Sequence, residues 1–457
     1  VRVGNPAKVR APLRAYTVEA VAESSTAAGR EAVKLRERAM ARLNVLREEK
    51  EALAARIGLD LPASPAVPAR SRMSPQTRSP VGVRSSAGVI GAAEANARAD
   101  LDRADVLLRN AMDEVLASAQ VVCSTCTGAG DPQLAAHTFR VVVLDEATQA
   151  TEPAVLVPLT RGAQCVVMAG DPQQLPPTVV SQKALSYGLD VTLFDRVAAS
   201  GVTPLLLDTQ YRMHPAISAF PSQHFYGGQL RDGVQASDKP IPLGFPWPVP
   251  QLPVAFVEVE HGREERANVS GGGNSSWAEA ESEQQRKSGG KGSSSSGGGS
   301  YKNMAEAKLA LQVVHGLVQA GGVASVAILT PYRGQVRALE SLMRTSAPHL
   351  LAETSNNSGN GSGGGVEVTV SSVDAYQGRE ADVVVFSAVR CNRNGSIGFV
   401  SDPRRLNVGI TRPRRGLILI GSPSSLAAGS KADWAPYLDW LRKKGVCLSH
   451  EAVSTSC

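Results

Sequence analysis

The chain has 457 residues, with 48 Lys+Arg against 42 Asp+Glu, a formal charge of +6 and six cysteines. That length accommodates two or three domains. The cysteines are too few for a disulfide framework, no run of about 18 apolar residues reads as a membrane span, and no basic start followed by an apolar run reads as a signal peptide, so a reducing intracellular compartment fits best.

Residues 1–50 hold 11 basic against 6 acidic side chains, and residues 1–120 hold 19 against 14, so most of the surplus sits early in the chain. Two readings stand: a solvated helical face, or a segment that contacts phosphate backbones. Residues 17–58 are rich in Ala, Glu, Arg and Leu and predict one or two long helices. Residues 61–92 are rich in Pro, Ser and Arg and predict disorder, after which a helical pattern resumes over 93–118. From Val121 short β-branched runs (Val121–Val122, Val141–Leu144, Cys165–Ala169) alternate with turns and helical stretches, which predicts an α/β fold with a parallel sheet. A second such set begins near Thr203, with strands at Pro253–Val259, Val323–Leu329, Val366–Val370, Val383–Ser387 and Leu417–Ile420. Gly/Ser/Asn-rich inserts at 263–300 and 353–365 predict flexible surface loops.

The chemistry-bearing strings begin at Val141. Four apolar residues run into Asp145 and Glu146 and read as a buried strand delivering two carboxylates to its C-terminal edge, a Walker-B arrangement. One carboxylate can hold the water shell of Mg²⁺ while the next polarises an attacking water. The partner motif, G-x-x-x-x-G-K-[ST], does not occur in these residues, and the look-alike Gly289–Ser293 lacks the first glycine and a preceding strand. Next comes Gly170-Asp171-Pro172-Gln173-Gln174 directly after the second strand, where Gln174 is placed to sense a γ-phosphate or orient water. Three more strings follow: Thr209-Gln210-Tyr211-Arg212-Met213-His214-Pro215, Ser371–Glu380, and Leu406–Gly416 with Arg412 at its centre. Arginines reaching a phosphoryl group neutralise its developing charge. Each string alone fits a turn or a surface ion pair.

Taken in order, the strings resemble the superfamily 1B helicases over about Val121 to Val446, inserts excepted. They are most similar to the branch acting in nonsense-mediated RNA decay, with the senataxin and immunoglobulin-mu-binding branches close. The resemblance implies two RecA-like parallel-sheet domains of P-loop NTPase type. Residues 1–15 would be a remnant of the first domain, 16–118 a helical insertion in it, 119–202 its remainder, and 203–457 the second domain. It implies Asp145 as the Mg²⁺-associated acid, Glu146 as catalytic base and Gln174 as γ-phosphate sensor, with Arg212 and Arg412 as the arginines that reach the γ-phosphate. Tyr211 would stack near adenine, and Gly378 and Glu380 would contact nucleotide. Ser124, Thr125, Thr330, Tyr332 and Ser372 would face nucleic acid. The cofactors implied are ATP and Mg²⁺. The activity is 5′-to-3′ movement on single-stranded RNA, with DNA as the alternative, together with protein partners of RNA surveillance. The compartment expected is the cytoplasm, or the nucleus.

The chain departs from that pattern in its missing P-loop, in Pro413 where alanine is usual, and in its long Gly/Ser-rich inserts. It opens at Val1 with its first methionine at Met40, which reads as the C-terminal portion of a longer protein. An ATPase-inactive nucleic-acid clamp is the alternative function. Cys123 and Cys126 have C-x-x-C spacing without a second pair at finger spacing, and are expected to face a core rather than zinc. His214 is expected to bond structurally, Trp247 to pack a loop, and Trp434 and Trp440 to anchor a core.

Overall fold

A computed structural model describes residues 1–3, 9, 11–57, 81–267, 300–348, 350 and 365–454. The look-alike Gly289–Ser293 and most of both inserts lie outside them. The described chain divides into two compact units. One comprises Val1–Val143 with Pro153–Val167, the other Leu144–Glu152 with Met168–Cys457.

In the first unit residues 17–58 form helices, as their composition predicts. Helix α1 spans Val18–Ser25, capped by Thr17, whose side chain accepts from the Ala20 amide. Helices α2 (Ala27–Ile57) and α3 (Val81–Ser118) are long and pack on one another. Their contact seam is written at seven-residue intervals: Ala32, Ala39 and Leu46 on α2, and Ala97, Ala104 and Ala111 on α3, are all buried. That spacing is the heptad of a coiled coil, and alanine allows the backbones a close approach. Helix α3 begins at Val81, so residues 81–92 are helical rather than disordered, continuous with the helical pattern of 93–118. A small core of Val3, Val18, Ala22, Met112, Val115 and Leu134 ties α1 and the base of α3 to the chain's first residues.

Strands β1 (Val141–Leu144) and β2 (Cys165–Met168) form a two-stranded sheet. The run Val141–Leu144 is not the buried strand its composition suggests. Val142 and Leu144 are buried, whereas Val141 and Val143 are 61% and 67% exposed. Two strands cover one face only, so alternate side chains remain in solvent. Val121–Val122 form no strand; the neighbouring Cys123 makes only an isolated bridge to Arg2.

The second unit is built on a six-stranded parallel sheet. Short strands β3 (Thr209–Gln210) and β4 (Arg231–Asp232) pair first, and β6 (Glu264–Ala267) pairs antiparallel with β7 (Ser300–Asn303). The main sheet takes β5 (Val254–Glu258), β8 (Ser325–Thr330), β9 (Glu367–Ser372), β10 (Ala381–Ser387), β11 (Pro413–Gly421) and β12 (Cys447–Ser449) in the order β12-β5-β11-β10-β8-β9. Every residue of β10 is buried, as expected for a central strand covered on both faces. Alternation along the strands splits the core in two. Phe256, Leu329, Val384, Phe386 and Leu419 face one layer with Trp434 and Tyr437. Val257, Ile328, Val383, Val385 and Ile418 face the other with Val313, Leu317 and Leu339. Trp434 is buried and donates to the Val400 carbonyl at 2.8 Å, while Trp440 and Trp247 are partly buried against these layers.

Candidate ATP-hydrolysis site

The site lies within the second unit, where the turn 144–152 belongs. Beyond β1, Asp145 is exposed, and its Oδ1 accepts from the Glu146 amide at 3.0 Å. Glu146 is half-buried in the left-handed region, φ 52° and ψ 41°. A side chain rarely holds that conformation without a local cost, and such costs collect at functional turns. Gln149, one turn on, donates to Glu146 Oε2 at 2.5 Å. Opposite, Thr148 Oγ1 meets both the amide and the carbonyl of Asp171 at 3.2 Å. Gly170 is required here because a Cβ would stand 2.9 Å from the Thr148 methyl carbon and 3.0 Å from its amide nitrogen.

From that junction a chain of polar contacts crosses the unit. Asp171 Oδ2 accepts from Gln174 Nε2 at 2.8 Å and from the Tyr226 hydroxyl at 2.6 Å. Asn407 Nδ2 donates to the same Tyr226 oxygen at 2.9 Å and to the Gln173 carbonyl at 3.0 Å. Gln174 Oε1 accepts from Arg412 Nη2 at 3.3 Å. Arg412 is 2% exposed and also donates to the Val408 and Arg379 carbonyls and to Thr411 Oγ1. Burial pushes its guanidinium down to about 10, Arg212 pushes the same way, and the charge of Glu146 opposes them. Arg212 donates to Glu380 Oε2 at 2.7 Å and to the Thr411 carbonyl at 3.2 Å. Burial raises the Glu380 carboxyl, but its bond to Arg212 and the charges of Arg212, Arg414 and Lys239 outweigh that and leave it below its usual range.

The structure therefore gathers Glu146, Gln174, Arg212, Arg412 and Glu380 into one connected cluster. The helix Pro403–Ile410 ends before Arg412, and β11 starts at Pro413, so proline interrupts no helical hydrogen bond. Tyr211 is 67% exposed and its ring covers Gly233, where a Cβ would lie 2.3 Å from it. Gly378 sits at φ +74° on an exposed turn. His214 bonds structurally as expected, with Nδ1 accepting from the Ala216 amide at a helix start.

Four residues of the cluster carried no role in the sequence reading: Gln149, Asp171, Tyr226 and Asn407. Asp171 and Asn407 stand inside recognisable strings. Tyr226 has no local signal, because its partners lie 55 and 181 residues away.

The nucleic-acid candidates separate. Ser372 caps a short helix and lines a cavity of about 630 Å³ together with Gln149, Pro177, Arg333, Arg404 and Arg405. Ser124 and Thr125, in the first unit, are exposed, and Thr125 Oγ1 accepts from the Gly128 amide at 3.1 Å. Thr330 and Tyr332 are fully buried, and the Tyr332 hydroxyl donates to the Ile397 carbonyl at 2.7 Å. Their side chains offer no surface to a strand, so that expectation is corrected for both: the loop after β8 turns inward to complete the core. Cys123 is exposed rather than core-facing, because the segment after α3 runs along the surface of its unit. No cluster of three metal-ligating side chains occurs among the described residues.

A family model described as an AAA domain matches residues 189–424, and a second of the same description matches residues 1–182. The chain belongs to this AAA-domain family of superfamily 1 helicases, with the two RecA-like domains that define its fold class. Among its relatives, the Regulator of nonsense transcripts 1 homolog of Neurospora crassa is 40% identical over 329 residues, covering 72% of this chain and 26% of that protein. The ATP-dependent helicase NAM7 of Saccharomyces cerevisiae is 37% identical over 351 residues, covering 76% and 32%. The Regulator of nonsense transcripts 1 homolog of Drosophila melanogaster is 36% identical over 353 residues, covering 77% and 26%. The matched region thus spans between about a quarter and a third of these relatives' length.

Proposed function

We propose that this chain is part of an ATP-dependent motor that moves 5′-to-3′ along single-stranded RNA, with single-stranded DNA as the alternative track, in nonsense-mediated decay. The observation that supports it most is the contact of Arg412 with Gln174 in a cluster that also holds Glu146 and Arg212. Glu146 takes the proton of the attacking water. Gln174, held by Asp171 and Arg412, fixes that water or the terminal phosphate. Arg212 and Arg412 bring two positive charges to the oxygens on which charge accumulates. The exposed Asp145 carboxylate would hold Mg²⁺, which when bound would supply charge neutralisation at the transferring phosphoryl group. The 630 Å³ cavity lined by Ser372, Arg333 and Arg404 is the track we assign to the strand. Partners would be other components of RNA surveillance.

Names of relatives support this reading: one is an ATP-dependent helicase and others are regulators of nonsense transcripts. A second reading, a nucleic-acid clamp without hydrolysis, is favoured by one observation, the lack of G-x-x-x-x-G-K-[ST] in these 457 residues. Without backbone amides and a lysine to cradle the β- and γ-phosphates, residues 1–457 by themselves are expected to turn over no ATP. No helix among the described residues is long and apolar enough to cross a membrane. The five described cysteines are free, in keeping with the cytoplasm or nucleus as site of action.

RNA-stimulated ATPase measured on residues 1–457 and on the protein extended upstream tests these statements together. Turnover by the extended protein alone is the expected result. Turnover by neither favours the clamp, and turnover by residues 1–457 refutes the requirement for a P-loop.

A further inference from the structure

The basic excess of the first 50 residues is not used by the hydrolysis cluster. On α2 it resolves into a row: Arg30, Lys34, Arg38 and Arg42, each four residues from the next and each exposed. Four residues of α-helix rise about 6 Å and turn about 40° past a full turn, so the charges climb one flank at an even step. Like charges at i,i+4 weaken a helix by a few tenths of a kcal/mol per pair, and this row contains three such pairs. A merely solvated helix face would alternate signs instead. Glu31 and Glu37 both flank Lys34, yet neither ion-pairs with it among the described residues, and Arg38 and Arg42 have no acid three or four positions away. Arg30 spends one donor on the Ser24 carbonyl at 3.0 Å. Farther along the same helix the charges are balanced: Arg47 pairs with Glu51 at 3.1 Å, and Lys50 pairs with Glu94 of α3 at 3.2 Å. The heptad seam of Ala32, Ala39 and Leu46 against Ala97, Ala104 and Ala111 holds the row on a stiff support, so little backbone freedom is lost when it is engaged.

We propose that the Lys34–Arg38–Arg42 flank of α2 is a contact surface for the phosphate backbone of a nucleic-acid strand, a second binding surface carried by the first compact unit. It rests on the nucleic-acid reading given above and adds to it a surface on the compact unit that does not hold the hydrolysis residues. The occupant is a regular polyanion because the row offers evenly spaced charges of one sign. It has no enclosed pocket in which a base edge could be read. The contact therefore adds affinity and salt dependence without sequence preference.

The test is the affinity of residues 1–457 for a fluorescein-labelled oligouridylate, measured by anisotropy over a range of salt. The variants are Lys34→Gln/Arg38→Gln/Arg42→Gln, the charge-retaining Arg38→Lys/Arg42→Lys, and Arg47→Gln as a control. The triple variant should bind about tenfold more weakly at moderate salt, with a log–log salt slope shallower by about 2, since each single-strand phosphate contact contributes about 0.7. Its melting temperature should hold or rise, because three like-charge pairs are removed. The charge-retaining and Arg47→Gln variants should match the unaltered chain. A triple variant with unchanged affinity and slope refutes the surface. So does a loss of affinity shared by the charge-retaining variant, and so does polyglutamate that competes as well as RNA. Failure of the unaltered chain to bind RNA takes down the nucleic-acid reading along with the surface.

Discussion

Arg412 Nη2 and Gln174 Oε1 meet at 3.3 Å across 238 residues of sequence. The contact joins a buried cation to the glutamine that follows the β2 loop, beside the bond from Asn407 to the Gln173 carbonyl. In an ATPase-competent protein containing this chain, Arg412→Ala should lower turnover by roughly 1,000-fold, as expected for an arginine that stabilises a transferring phosphoryl group. Pro413→Ala should change it by less than about tenfold, since Pro413 opens β11 and carries no charge. Steady-state RNA-stimulated ATPase decides both. A silent Arg412→Ala would make the neighbouring Arg414 or Arg415 the candidate.

Glu146→Gln should abolish hydrolysis, by roughly 100-fold or more, while nucleotide binding persists, because the base is lost and the volume kept. Glu146→Gly should be equally inactive yet more stable, by about 1 kcal/mol, because glycine occupies φ 52° without strain. Nucleotide-binding isotherms and urea melts of the two variants separate chemistry from backbone strain. A less stable glycine variant would mean that the turn stores no strain.

Tyr226→Phe deletes the hydroxyl that joins Asp171 to Asn407 while keeping the ring. Asp171 then loses one of the two donors on Oδ2, and Gln174 is held less firmly. Turnover should fall by about tenfold with the KM for ATP unchanged, because Tyr226 acts through Asp171 on the position of Gln174. An equal rise in KM would show a binding role instead.

Glu306 gives the fold a pH dependence. It is fully buried, and burial pushes its carboxyl up to about 8 against the opposing bonds from Ser387 and the Val389 amide. A carboxyl raised in the folded state holds its proton where the unfolded chain has lost it. Its stabilising contribution is complete below the ordinary carboxylate range and is lost as pH rises from about 4.5 to about 8. The loss should amount to a few kcal/mol. Glu306→Gln, which mimics the protonated carboxyl, should lack that pH window, so thermal melts of the two proteins should agree near pH 4 and diverge as pH rises toward 9, the unaltered protein falling below the variant. Parallel curves would place the titration elsewhere.

The sequence by itself determined the elements and the residue types of the chemistry. Buried strands such as Val383–Ser387 and the helices of residues 17–58 follow from periodicity and composition, which are local properties. The carboxylate turn, Gln174, Arg212 and Arg412 were singled out because their strings occur in the order of the family they resemble and carry the few side-chain types that the proposed phosphoryl transfer admits. Only the tertiary structure decided which of these residues meet. The bonds Tyr226–Asp171, Asn407–Tyr226 and Arg412–Gln174 join positions 55 to 238 residues apart, a relation no local pattern encodes. Burial was likewise decided by neighbours: Val143 stays exposed in a two-stranded sheet, while Thr330 and Tyr332 are taken into a core that lies on both faces of a six-stranded one. Whether an apolar or polar side chain sees water depends on the layers packed over it, and those come from distant parts of the chain.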